Sequence, residues 1–162
     1  MLATGGRLVY STCSFNPIEN EAVVQAVLKK FGSKISLVDV SKEVSPHLKY
    51  RPGFISWKVF HRGKGKKEAP AWHMAWESVP DWKRSVLRQT MFHDTYTYHN
   101  NQPLCMPDDP LNLRRCMRFM PQDDNQGGFF VAVFAKTADI GRGGTALDRT
   151  LTKNAWEDKS VR

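Results

Sequence analysis

Three cysteines among 162 residues are too few for a disulfide framework, and an odd number cannot all pair. Long apolar runs are missing too. The longest, Phe129 to Ala135, stops at Lys136, well short of the ~20 residues a membrane-spanning helix requires. The opening MLATGGRLVY lacks the basic-then-apolar order of a secretory signal. No internal repeat and no P-loop occurs. Disorder and fibrous structure are excluded by composition, since 41% of residues are hydrophobic and 25% charged. The expectation is one intracellular domain with free thiols and no membrane segment.

Acidic residues are the scarce class: 16 against 24 lysines and arginines, a net charge of +8. The excess is local. Between Lys49 and Phe92 ten basic residues stand against Glu68, Glu77 and Asp81, interleaved with Tyr50, Phe54, Trp57, Phe60, Trp72, Trp76 and Trp82. Basic groups mixed with aromatics suit a polyanion whose bases can stack. A solubilising face over an aromatic core fits the same composition, and charge alone leaves both readings open.

Along the chain, Arg7 to Ser11 after Gly5-Gly6 is short and β-rich. Asn16-Pro17-Ile18-Glu19 has the cap, the proline and the third-position glutamate that open a helix. Ile18, Val23, Val24, Val27, Leu28 and Phe31 continue at helical steps, so a helix is predicted from Pro17 to Phe31, stopped by Gly32. Ile35 to Val40 alternates like a second strand. Strand, helix, strand predicts a βαβ unit in residues 1–40 with a parallel pairing. Residues 41–110 read as a basic, aromatic-rich insertion with a short strand near Ile55 to Phe60 and a short helix over Asp81 to Gln89. Residues 111–136 return to the core: a helical turn and a strand ended by Pro121, then GGFFVAVFAK, apolar on both faces and therefore a central strand. From Thr137 to Arg162 a flexible tail is expected. Its Gly141 to Ala146 formally satisfies a dinucleotide-type glycine pattern, but no second strand follows to complete the unit.

Cys13 falls between the first strand and the helix, at the carboxyl end of a strand, where open α/β sheets place ligands. It is a candidate nucleophile, because a thiol near a helix N-terminus is made more acidic. It also reads as a small hydrophobe closing the turn. His93, His99, Cys105 and Cys116 match none of the close-paired zinc spacings, so no metal is expected. No third orienting group can be named for a Cys-His hydrolase.

The stretch GGRLVYSTCSFNPIENEAVV resembles the nucleophile motif of the Sun-family (RsmB-like) RNA cytosine-C5 methyltransferases. The resemblance continues in LKYRPGFISWKV, in Thr90-Met91-Phe92, in RCMRFMP and in GGFFVAVFAK, blocks similar to the eukaryotic tRNA-modifying branch. It covers Gly5 to Lys136. It implies an α/β fold, the C-terminal part of a Rossmann-like S-adenosylmethionine-dependent methyltransferase sheet. It implies RNA, in particular tRNA, as partner, a nuclear location to which the GKGKK cluster adds weak support, and Cys13 as the catalytic nucleophile that bonds to carbon 6 of the cytosine. Thr12, Ser14 and Asn20 flank that cysteine and can orient it. Arg62, Lys64, Lys66 and Lys67 are the candidate RNA-binding residues.

The match has gaps. The family's glycine-rich cofactor loop and its Asp-Ala-Pro-Cys motif do not occur in these residues, and Gln122 stands where relatives often have histidine. The cofactor site is therefore expected mostly upstream, and no cofactor-binding residue is assigned. The expectation is a part of a longer enzyme, inactive in isolation; a half that pairs with another chain and a remnant without activity are the other accounts. A sheet reduced to its last strands would expose an edge and one wall of the cofactor crevice. The competing function is a non-catalytic basic RNA-binding domain in which Cys13 is structural.

Overall fold

The computed structural model describes residues 2–63, 69–93, 98–99, 102–103 and 109–140. Its main sheet is organised by β9 (Phe129–Lys136), the longest strand among the described residues. β1 (Arg7–Thr12) runs antiparallel along one side of it. The other side is shared: β8 (Met117–Phe119) pairs with its first half and β2 (Ile35–Leu37) with its last. β3 (Arg51–Pro52) extends the sheet beyond β8. Two small antiparallel pairs complete the list, β4 (Val59–His61) with β5 (Ala71–His73), and β6 (Tyr98–His99) with β7 (Gln102–Pro103).

The fold class is α/β, as expected, and β9 is the central strand that its apolar faces predicted. The parallel pairing is corrected. β1 and β2 do run in the same direction with a helix between them, but β9 is inserted between the two strands, and every pairing of the described sheets is antiparallel. The physical reason lies in β9 itself: a strand apolar on both faces is buried most fully in the middle of a sheet, with both hydrogen-bonding edges used. Phe130, Ala132, Val133 and Phe134 are buried there, while Phe129, at the strand's start, is exposed.

Helix α1 (Glu21–Phe31) begins later than the sequence suggested. Asn16 makes a turn instead of capping the helix: its Oδ1 accepts the Ile18 N–H at 3.1 Å, and the Asn20 N–H donates to Pro17 O at 3.2 Å. Once Asn16 and Pro17 are committed to that turn, the helix starts after Asn20. The expected strand near Ile55 shifts to Val59–His61. In place of the expected helix over Asp81 to Gln89 there is a 3-10 turn, Asp81–Lys83, followed by a turn in which the Val86 and Leu87 N–H groups both donate to Lys83 O at 3.0 Å, and the chain is extended again at Arg88. The turn and strand before Pro121 are found as Leu113–Arg115 and β8, and Pro121 itself opens a short helix, α2 (Pro121–Asp124). Of the expected tail, residues 141–162 lie outside the described residues.

On the α1 face one core joins Ala22, Val24 and Leu28 of the helix to Phe130, Ala132 and Phe134 of β9 and to Ile55, Trp57, Val59, Val79, Leu87 and Phe92 from the middle of the sequence. The middle segment is tied down by buried polar bonds as well. Gln25 Nε2 donates to Phe92 O at 2.8 Å, and Trp57 Nε1 donates to Met91 O at 2.8 Å. Val40, Met117 and Val133 form a smaller cluster on the opposite face. Gly53 permits a close approach, its N–H donating to Cys116 O at 2.8 Å where an added Cβ would strike Leu113 O. No helix among the described residues is long and apolar enough to cross a membrane.

His93 is buried in this core with its ring edge-on to Trp57, and burial lowers its pKa from 6.5 to about 4, helped by the charge of Lys29 and opposed by that of Asp109. The folded chain keeps the imidazole neutral, so as pH falls below 6.5 the unfolded chain takes up the proton first. Stability should drop between about pH 6.5 and pH 4, by no more than about 3 kcal/mol from this residue. Urea denaturation across that range should show the slope, and His93→Phe should flatten it.

Candidate functional site

Cys13 lies just past the last residue of β1, and its side chain is exposed. The reading of Cys13 as a buried hydrophobe closing the turn does not describe this structure. Cys116 fits that description: it is fully buried, and burial, reinforced by the charges of Glu21 and Asp109, pushes its thiol well above the ordinary range. Residues 14–20 separate Cys13 from the start of α1, so the thiol does not sit directly on the helix N-terminus.

What holds the Cys13 loop is a set of side-chain bonds on both of its flanks. Thr12 Oγ1 donates to Asn20 Oδ1 at 2.6 Å and accepts the Ser14 N–H at 3.2 Å, closing a small turn around Cys13. The amide of Asn20, with no exposed surface, donates back to Ser14 O at 2.8 Å. Both polar ends of one buried side chain are therefore spent on the two neighbours of the cysteine. Asn16 N–H donates to Ser14 Oγ at 3.0 Å, setting the direction of the exit.

One residue further, Arg118 Nη1 donates to Phe15 O at 3.1 Å. The guanidinium is itself clamped by Glu21. Its Nε donates to Glu21 Oε1 at 2.6 Å and its Nη2 to Oε2, a bidentate pair with 3% and 0% of the two side chains exposed. The Phe54 N–H donates to the same Glu21 Oε1 at 2.9 Å, and the Phe54 ring covers the guanidinium at 4.0 Å. Strand register explains the reach: Thr12, Phe130, Arg118 and Arg51 lie in one row across β1, β9, β8 and β3. Facing residues of an antiparallel row share a side of the sheet. At the same end Gly128 lies under the ring of Phe15, where any Cβ would overlap it.

Of the predicted RNA-binding residues, Arg62 is exposed and follows β4, in a different sheet from Cys13, and no described contact joins the two. Lys64, Lys66 and Lys67 lie outside the described residues, as does Cys105. Among the described residues no group of three or more His, Cys, Asp or Glu side chains could hold a metal ion. Gln122 is the second residue of α2, beside Asp123, whose carboxylate is paired with Arg51 at 2.6 Å. Sequence reasoning named Thr12, Ser14 and Asn20 but missed Glu21 and Arg118. A charged residue alternating with apolar ones in Met117-Arg118-Phe119 was the available signal.

Residues 1–56, which include the Cys13 loop, match the family described as 16S rRNA methyltransferase RsmB/F. Across 86% of the chain the sequence is 45% identical to the multisite-specific tRNA:(cytosine-C(5))-methyltransferase trm4b of Schizosaccharomyces pombe. The chain is similar to the Sun family of RNA cytosine-C5 methyltransferases. Over the same share of the chain it is 42% identical to the tRNA (cytosine(34)-C(5))-methyltransferase of Drosophila melanogaster and 37% identical to the multisite-specific enzyme of Saccharomyces cerevisiae. The match spans 18%, 17% and 17% of these three relatives, so the chain corresponds to under a fifth of their length.

The Glu21–Arg118 pair carries a direct test. Removing one member leaves the other charge buried and unpaired, which costs about 3–5 kcal/mol. Arg118→Ala should lower the unfolding free energy by that amount in urea denaturation. Glu21→Met with Arg118→Met should recover part of it. Full recovery is not expected, because the double variant leaves both the Phe54 N–H and the Phe15 carbonyl without their partners.

Proposed function

We propose that this chain is the nucleophile-bearing part of an RNA cytosine-C5 methyltransferase acting on tRNA, built on the C-terminal strands of a Rossmann-like sheet. The observation that carries the reading is the exposed Cys13 on a loop anchored on both sides, inside the segment that matches the family. Carbon 5 of cytosine is a poor nucleophile. The thiolate of Cys13 adds to carbon 6, ring electron density moves to carbon 5, and that carbon takes the methyl group. Loss of the carbon 5 proton and expulsion of the sulfur restore the ring. A base inside a stack cannot meet the thiol, so the target is splayed out before the addition.

S-adenosylmethionine, as the family's methyl donor, supplies an electrophilic methyl on sulfonium sulfur. A groove of about 590 Å³ along α1 is large enough, but its walls are mostly aliphatic, its polar lining is Lys30, Arg88 and Thr90, and no carboxylate lines it to take ribose hydroxyls. At the target base, Cys13 forms the bond, while Thr12, Asn20 and Arg118 hold the backbone from which Cys13 projects.

The test is a chimera in which this chain replaces the matching segment of the Schizosaccharomyces pombe relative. It should methylate tRNA and form a denaturant-resistant adduct with tRNA containing 5-azacytidine. Cys13→Ala should abolish both. An adduct of equal yield in that variant would show that another residue is the nucleophile. The 162 residues alone should give no turnover with S-adenosylmethionine, measured by transfer of a labelled methyl group to tRNA.

A further inference from the structure

The pairing of β4 with β5 sets two large rings side by side on its solvent face. Phe60 and Trp72 are directly opposite in the register, their centroids are 4.8 Å apart, and they are 44% and 65% exposed. Exposure alternates along residues 57–62: Trp57, Val59 and His61 are buried, while Lys58, Phe60 and Arg62 are exposed. The strand period therefore places Lys58 and Arg62 on the same side as Phe60, one before it and one after it. Neither cation is in an ion pair among the described residues, and no carboxylate stands at the outward positions of residues 58–62 and 70–74. The inward side chains fasten the pair to the core: Val59 is fully buried within the α1-side cluster, and His61 and His73 are buried beside it in the two strands.

We propose that this face is a stacking platform for a single-stranded segment of RNA, with bases lying on Phe60 and Trp72 and the flanking phosphates meeting Lys58 and Arg62. Single-stranded nucleic acid is held by this combination, ring faces for bases and cations spaced along the backbone, and it needs no particular base sequence. A protein-binding patch of the same size would set apolar side chains at its centre and remove charge from it. Here the outward positions on either side of Phe60 are cationic. The site extends the RNA-substrate reading above to a second contact, remote from Cys13 in the topology, and it rests on RNA being the substrate but not on Cys13 being the nucleophile.

The experiment uses the 162-residue chain and a short fluorescein-labelled oligouridine, with binding followed by anisotropy and by tryptophan emission. Binding should quench part of the emission, and that part should disappear in Trp72→Phe, which keeps the affinity within about threefold. Trp72→Leu and Phe60→Leu should each weaken binding about tenfold while leaving the melting temperature unchanged. An abasic strand of the same length should bind weakly and without quenching. Lys58→Gln with Arg62→Gln should reduce the slope of log affinity against log salt by about 1.4. Equal affinity in the parent and both leucine variants would overturn the proposal. So would no binding of oligouridine by the parent, which would hand the face to a protein partner. Loss of the Cys13 adduct would leave these measurements untouched, so the two readings fail separately.

Discussion

The buried bidentate pair between Glu21 and Arg118 is the constraint on which the rest of the structure turns. Glu21 is the first residue of α1, and Arg118 is in the middle of β8, nearly a hundred residues later. Two charges without solvent are tolerated only if every donor and acceptor around them is satisfied. Here the surplus valences are used on backbone, with Phe54 N–H on the carboxylate and Phe15 O on the guanidinium. One interaction thus fixes the start of the helix, a sheet strand, the turn after β3 and the exit of the Cys13 loop relative to each other. A hydrophobic pair of the same volume would fill the space but would not set the loop carbonyl.

This arrangement separates two demands that a nucleophile loop must meet together. The thiol has to be reachable, and the backbone carrying it has to be still. Buried Asn20 meets the second by bonding to both neighbours of the cysteine, leaving Cys13 itself exposed. Ring placement follows the same logic. Phe15 is exposed but seated on Gly128, and Phe54 is exposed but stacked on a guanidinium that Glu21 has already neutralised. Along β1 the outer edge meets no strand among the described residues, and Leu8 and Val9 are exposed there.

Local patterns were legible where a single element decides the outcome. The alternating apolar faces of Phe129 to Phe134 marked the central strand, and Pro121 marked the end of β8. Readings failed where two local signals competed. Asn16-Pro17 suits a helix start and a turn equally, and the turn won because Asn20, four residues on, is held in the core by Thr12 and Ser14. The βαβ pattern suggested adjacent parallel strands. Nothing in residues 7–40 announces that a strand from residues 129–136 takes the place between them.

By itself, the amino-acid order determined the α/β class, the basic and aromatic bias of the middle segment, and the family resemblance, whose motif around Cys13 is contiguous and so survives in one dimension. Only tertiary structure decided that Cys13 is exposed and Cys116 sealed, that Arg118 reaches the Cys13 loop, and that Lys58, Phe60, Arg62 and Trp72 share one face. The physical reason is range. Periodicity and turn chemistry act over a few residues, whereas burial and charge pairing are settled by partners far apart in the chain, and their positions exist only once the sheet has closed around β9.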